Sequence, residues 1–319
     1  MFLREVSMAS KELFFFRPYF KKVVWGGNKM RDVFGYDIPY ENTGECWAIS
    51  ANDNGESYCV TPKEYEGKSL KWLYEHERHI FGEIPGDRFP LLLKVIDAKE
   101  DLSISLHPND EYAKVHENGS FGKTECWYIL DCDEDSTIIL GHNARTREEL
   151  CELIDNKEYK KLIHEVPVHR GDFISVEPGT IHSIKEGILI LEIQQNSDIS
   201  YRVYDYDRLQ DGKLRPLHVK ECKEIINIPD KGGVIATTSS EPGVFNLVSN
   251  KYFKVKKVNV EKTISINEGS LFAMVSVIEG EGNLNGIHIK KGDHFIVPAD
   301  FGDLNITGDM TLIVASPVV

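Results

Sequence analysis

Apolar and polar positions alternate with a period of two through "LSISLH" at residues 102–107, setting Leu102, Ile104 and Leu106 against Ser103, Ser105 and His107. Such alternation predicts a strand with one apolar and one polar face, which Pro108 stops. His107 therefore stands at a strand end, on the polar face. The stretch "GKTECWYIL" at 122–130 repeats the device, with Lys123, Glu125 and Trp127 on one face. The run "LLLKVIDA" at 91–98 and the stretch "DEDSTIILG" at 133–141 have strand length, and residues 166–208 read as strands and turns in close succession. Asn54-Gly55 predicts a hairpin turn. From residue 234 onward the pattern is strand and turn throughout.

Helical spacing is rarer. Leu70, Leu73, Tyr74, Ile80 and Phe81 follow Ser69, which predicts a helix between residues 67 and 82 with Ser69 as its cap. Thr146, Glu149, Leu150, Leu153 and Ile154 predict a capped amphipathic helix through "TREELCELIDNKEYKKLIHE" at 146–165. A weaker helical pattern at 217–226 leads into "NIPDKGG" at 227–233, the best linker in the chain.

An internal echo points to two related domains. "RGDFISVEPGTIHSI" at 170–184 and "KGDHFIVPADFGDLNI" at 291–306 share a Gly-Asp turn, a short apolar strand, a Pro and a second turn. His182 stands four residues after Pro178, whereas Gly302 stands four after Pro298. The first copy has the form of the second sequence motif of cupins, in which a His on a small β-barrel points inward at a metal. The expected fold is mainly β, with two cupin-type jelly-roll barrels and a few helices inserted in or beside the first. Residues 1–232 form the expected catalytic domain and residues 233–319 a second, metal-free cupin-like domain.

Composition narrows the function. The chain has 319 residues, 41% hydrophobic and 28% charged, with a formal net charge of −14. That excess argues against a nucleic-acid or anionic-membrane partner and requires any phosphate-binding field to be local. Six cysteines without a CxxC pair read as reduced thiols of a cytoplasmic protein. "LFFF" at 13–16 is too short for a spanning helix or signal peptide, and residues 1–10 carry no clear pattern.

The candidate chemistry lies in His107, Glu125 and His182. Two neutral imidazoles and one carboxylate leave a divalent metal net positive with open positions, as Lewis-acid catalysis needs. The donor set suits zinc and non-haem iron alike. Arg202 stands among Asp198, Asp205 and Asp207, where an ordinary salt bridge is the alternative to a functional role. Glu192 lies on the apolar stretch "GILILEIQ", as a proton-transfer base or as a fixed partner for the substrate or for Lys123.

Several stretches in order, "WGG" at 25–27, "TGECWAIS" at 43–50, "FPLLLKVIDA" at 89–98, "LSISLHPND" at 102–110, "GKTECWYIL", "VEPGTIHSI" at 176–184 and "EIQQNSDISYRVYDYDR" at 192–208, resemble the type I mannose-6-phosphate isomerases of the short bacterial kind. This resemblance implies a two-cupin enzyme with one zinc per chain, held by His107, Glu125 and His182. It implies Arg202 as the catalytic arginine and Lys123 as a substrate contact. Ser105 departs from the longer members, which place a fourth ligand, Gln, two residues before this His. The expected reaction interconverts mannose 6-phosphate and fructose 6-phosphate through an enediol. The partner is a small hexose phosphate, with no obligate protein partner. A metal-dependent cupin oxygenase and a non-catalytic sugar-phosphate binder are the alternatives.

Overall fold

The computed structural model describes residues 12–319, so the patternless residues 1–10 lie outside the described part. Strands dominate, and the six α-helices among the described residues have four to nine residues each. The mainly β architecture expected from the alternation is what the chain adopts.

The chain divides into two units that interleave in sequence. One comprises Phe20–Trp47 and Leu91–Thr238; the other comprises the described residues up to Tyr19, Ala48–Pro90 and Ser239–Val319. The sequence placed a single boundary at 232/233. The last crossing of the chain is close by, at 238/239, but Ala48–Pro90 group with the carboxy-terminal unit. A linear reading has no signal for this, because strands such as Phe14–Arg17 pair with His294–Val297 and Tyr58–Thr61, far away in sequence.

The first unit is a β-sandwich. Its seven-stranded sheet runs in the order Val234–Thr237, Asp172–Val176, Glu125–Asp131, Leu189–Gln195, Leu91–Asp97, Thr43–Ile49, Tyr19–Gly27. The facing five-stranded antiparallel sheet runs Ile163–Pro167, Thr137–His142, His182–Ser183, Ile104–Leu106, Tyr201–Tyr204. Trp127, Ile129, Ile174, Ile190 and Ile96 of the first sheet pack with Ile138, Leu140 and Ile184 of the second, the interdigitation expected of aligned sheets. On the outer side of the smaller sheet, Ile104, Leu106, Ile139 and Val203 bury against Leu150, Ile154 and Cys222 of the helices Arg147–Asp155 and Val219–Ile225.

The opening alternation holds where the strand is regular. Ile104 and Leu106 face the helices, while Ser105 and His107 face the sandwich interior. Leu102 departs from it: the strand begins only at Ile104, and Leu102 packs against the inter-sheet core. The helix expected over 146–165 is capped by Thr146 Oγ1, which accepts from Glu149 N, but it ends at Asp155. Lys157 takes φ 56°, Glu158 N donates to Leu153 O and Lys157 N to Ile154 O, a Schellman termination. A short helix, Tyr159–Leu162, and the strand Ile163–Pro167 follow. The Ser69 cap forms as expected, but the helix expected between 67 and 82 covers only Leu70–His76, and Ile80 falls in a separate 3-10 turn, Arg78–Ile80. The expected hairpin forms one residue earlier, turning at Asp53 and Asn54 with Gly55 already paired to Asn52.

The second unit is built on one eight-stranded sheet, in which Phe253–Asn267 pairs with Asp303–Pro317 along its whole length. Its core is apolar throughout, with Val258, Val275, Phe295, Leu304, Ile306 and Leu312 among the buried side chains.

Candidate active site

Pro108 ends the strand that carries His107, and Asn109 caps the next helix, Asp110–His116, by accepting from Tyr112 N. The return stretch with Lys123 is pinned at both ends. Gly122 N donates to Asp110 Oδ1, and Thr124 N donates to Gln195 Oε1. Only glycine fits at 122, since a Cβ there would lie 2.4 Å from the Asn109 carbonyl carbon. His182 is brought in by the Pro178-Gly179 turn, where Gly179 N donates to His107 O at 2.9 Å.

These elements bring His107, Glu125 and His182 together, all buried, with ligand atoms within 4.8 Å of one another. Nε2 of His107 lies 3.5 Å from Glu125 Oε2, and Nε2 of His182 lies 3.5 Å from Oε1. Each Nδ1 faces a backbone carbonyl, Ile199 O at 2.7 Å and Thr180 O at 3.0 Å. A carbonyl only accepts, so each Nδ1 carries the proton and each Nε2 presents a lone pair inward. Neither carboxylate oxygen of Glu125 accepts a hydrogen bond of ordinary geometry, although both are buried. Two converging lone pairs beside an unsatisfied buried carboxylate fit a divalent cation, and N and O donors suit zinc.

Electrostatics agree with that fit. Burial, and the Lys123 ammonium after it, push the His107 pKa down to about 3, and burial lowers that of His182. Burial alone would raise the Glu125 pKa, but Lys123 and His107 outweigh it and hold the carboxyl well below its usual range. Lys123 Nζ lies 2.8 Å from Glu125 Oε2 and 3.3 Å from Glu192 Oε1. Burial would lower the Lys123 pKa; the two carboxylates instead lift it above the usual lysine value.

The triad lines a cavity of about 340 Å³, in the range of small-molecule sites. Arg202 lines it too, from the strand Tyr201–Tyr204, where it pairs with Ser105; its guanidinium donates to Pro216 O. Asp205, weighed as a salt-bridge partner for Arg202, instead binds Arg208 and Arg215 and accepts from Ser103. Glu192 and Lys123 also line the cavity, so the triad, Arg202, Lys123 and Glu192 lie in one place.

Two family models match this chain, phosphomannose isomerase type I, catalytic domain, over residues 13–160, and mannose-6-phosphate isomerase, cupin domain, over residues 244–317. Mannose-6-phosphate isomerase ManA of Bacillus subtilis is 48% identical over 312 residues, covering 95% of this chain and 98% of that protein. The chain belongs to the type I phosphomannose isomerase family. The mannose-6-phosphate isomerase of Streptococcus mutans is 40% identical over 309 residues, covering 95% of this chain and 97% of that one. The crystal structure of the Bacillus subtilis mannose 6-phosphate isomerase superposes with a TM-score of 0.91 at 45% identity, covering 95% of this chain and 99% of that chain. A mannose 6-phosphate isomerase bound with zinc and yttrium shares the fold, with a TM-score of 0.74 at 16% identity over 96% of this chain and all of that one.

In this phosphomannose isomerase family member the cavity holds residues that sequence reasoning passed over. Lys94 and Glu45 are buried or nearly so, with Lys94 Nζ 3.4 Å from Glu192 Oε1 and 3.7 Å from Glu45 Oε2. Trp47 Nε1 donates to Glu45 Oε2 at 2.6 Å. The available signal was a lysine in the middle of the apolar run "LLLKVIDA", since a strand buried on both faces cannot keep a charge without a partner. Arg215, which also lines the cavity, arrives on an irregular stretch with no pattern to reveal it.

Proposed function

We propose that this family member is a zinc-dependent mannose-6-phosphate isomerase, interconverting mannose 6-phosphate and fructose 6-phosphate through an enediol. The observation that carries the reading is the inward-facing set of His107 Nε2, His182 Nε2 and the unsatisfied Glu125 carboxylate in a cavity also lined by Arg202. His107, Glu125 and His182 would hold one zinc, the metal named for the zinc- and yttrium-bound isomerase that shares the fold. When bound, zinc supplies Lewis acidity next to the reacting oxygens.

The chain's own residues do the rest. Moving a proton between adjacent carbons of a sugar builds negative charge on their oxygens, and the cost falls where fixed cations already face them. Arg202 is the catalytic cation in this reading, its planar guanidinium fork suited to a developing oxyanion. Lys123 keeps an ammonium on the same cavity wall and binds a substrate oxygen. Glu192 accepts from a substrate hydroxyl. The local cations draw a dianionic phosphate into a chain of net charge −14.

The substrate is a small molecule, and we infer a cytoplasmic enzyme, consistent with six free cysteines. Among the described residues no helix is long and apolar enough to cross a membrane. The second unit is proposed to be metal-free. A coupled assay of fructose 6-phosphate release from mannose 6-phosphate tests the reading: activity lost to a chelator and restored by zinc supports it, and no turnover by the zinc-loaded protein refutes it.

A further inference from the structure

We propose that Lys94, backed by Glu45, is a positioning residue that sets the place of the Glu192 carboxylate and thereby the rate of the reaction. The inference rests on the function proposed above and concerns two residues outside the metal triad, Arg202 and Lys123.

The sheet itself builds the arrangement. Adjacent strands Thr43–Ile49, Leu91–Asp97, Leu189–Gln195 and Glu125–Asp131 carry Glu45, Lys94, Glu192 and Glu125 in that order. Lys94 and Glu192 are direct cross-strand partners. Lys94 Nζ reaches Glu192 Oε1 at 3.4 Å, and Lys123 Nζ reaches the same oxygen at 3.3 Å. Lys123 continues to Glu125 at 2.8 Å, and Lys94 continues to Glu45 at 3.7 Å. Trp47 Nε1 closes the outer end on Glu45. Charges of alternating sign thus run from Glu45 to the triad, and Glu192 Oε1, which accepts no hydrogen bond, lies at ion-pair distance between two ammonium groups.

Stability does not explain the row. Lys94 is 5% and Glu192 3% exposed at the side chain, and taking such ions out of water costs about as much as their pairing returns. Elsewhere the same sheet face is filled by Ile96, Ile129 and Ile190. A row of apolar side chains would have packed as well. What the charges add is a fixed carboxylate: with a lysine on each side, Glu192 cannot swing along the sheet without leaving one ammonium unpaired.

A purely structural role for Lys94 would be to neutralise Glu45, and the two roles separate in a variant pair. Lys94→Met removes the ammonium beside Glu192 and takes from Glu45 its ion-pair partner, leaving it the Trp47 hydrogen bond; Lys94→Met/Glu45→Gln removes that ammonium and the Glu45 charge together. Positioning predicts that Lys94→Met lowers kcat about a hundredfold, the scale of an ångström-sized misplacement, with KM within about threefold. The double variant regains the melting temperature lost in Lys94→Met but keeps the low kcat. If Lys94→Met does not fold, the double variant alone carries the kinetic test. A kcat within about threefold of the parent in the double variant overturns the proposal. A crystal structure of the double variant gives a readout independent of turnover: Glu192 displaced toward Lys123 supports positioning, and Glu192 unmoved overturns it. An unaltered, zinc-loaded enzyme without turnover refutes the proposed reaction, and the structural readout still decides the role of Lys94.

Discussion

Gly171 at φ 91° and Gly292 at φ 92° turn the chain alike in the two units, and Asp172 and Asp293 each accept from a backbone N–H three residues earlier, His169 N and Lys290 N, both at 2.8 Å. The strands Asp172–Val176 and His294–Val297 follow, and then Pro178 and Pro298. Past the proline the copies part. His182 is buried against Trp127 and faces Glu125, whereas Gly302 takes φ 92° at an exposed position. The interiors differ to match: the first unit lines its cavity with Glu45, Lys94, Glu192, Lys123, Glu125 and two imidazoles, and the second unit buries Val258, Val275, Phe295 and Leu312 in its core. The repeated sequence therefore encodes a turn and a strand. Chemistry is a separate layer, placed on one copy at the expense of buried charge.

The largest effect should come from breaking that layer. Glu125→Gln keeps the shape and removes the ligand charge, so bound zinc should fall from one per chain toward none, with kcat down by at least about a thousandfold; metal analysis beside the coupled assay reads both. Arg202→Lys keeps a positive charge but loses the planar fork, and kcat should fall by about 10² to 10³ with the melting temperature nearly unchanged. The second unit should answer in the opposite way. Phe295→Ala, in its apolar core, should cost about 3 kcal/mol in urea unfolding while the folded fraction keeps its kcat.

Acid should act on both units with one sign. Burial lowers the His294 pKa to about 4, as it lowers that of His107 to about 3. The unfolded chain takes up these protons below about pH 6.5, and the folded metal-free chain refuses them until pH 4 or 3. Stability is therefore full above pH 6.5 and is lost as pH falls, by about 2 kcal/mol per histidine at pH 5. Urea unfolding of the metal-free protein at pH 7 and pH 5 measures the sum, and His294→Gln should remove one share. The smallest effect is expected of Gly302→His. An imidazole at that exposed turn starts from open space, with nothing within 4 Å of its Cβ, so zinc per chain should stay at one; a second bound zinc would undo the contrast between the units.

The mainly β fold was legible because alternation survives wherever a strand has two different faces, as at Ile104–Leu106. The interleaving of the units was not, since pairings such as Phe14 with Ile296 leave no local trace. His107 and Glu125 were legible as residues of the polar faces of strands, and His182 by its place four residues after Pro178 in the Gly-Asp, strand, Pro-Gly motif. Glu192 was legible as a carboxylate in apolar company, although its two lysine partners lie on other strands. Lys94 was read as part of an apolar run and Glu45 only as part of the stretch "TGECWAIS", because a charge that is satisfied only across a sheet shows its meaning only when the sheet is assembled.

The central claim is that one unit carries the proposed zinc site and the other an apolar core. Zinc measured per chain on the same samples used for the mannose 6-phosphate assay, through chelation and stepwise zinc return, tests it most directly. The account predicts one zinc per chain, with activity lost and regained in proportion to it. Full turnover in a metal-free chain, or a resident iron accompanied by oxygen consumption, would contradict it.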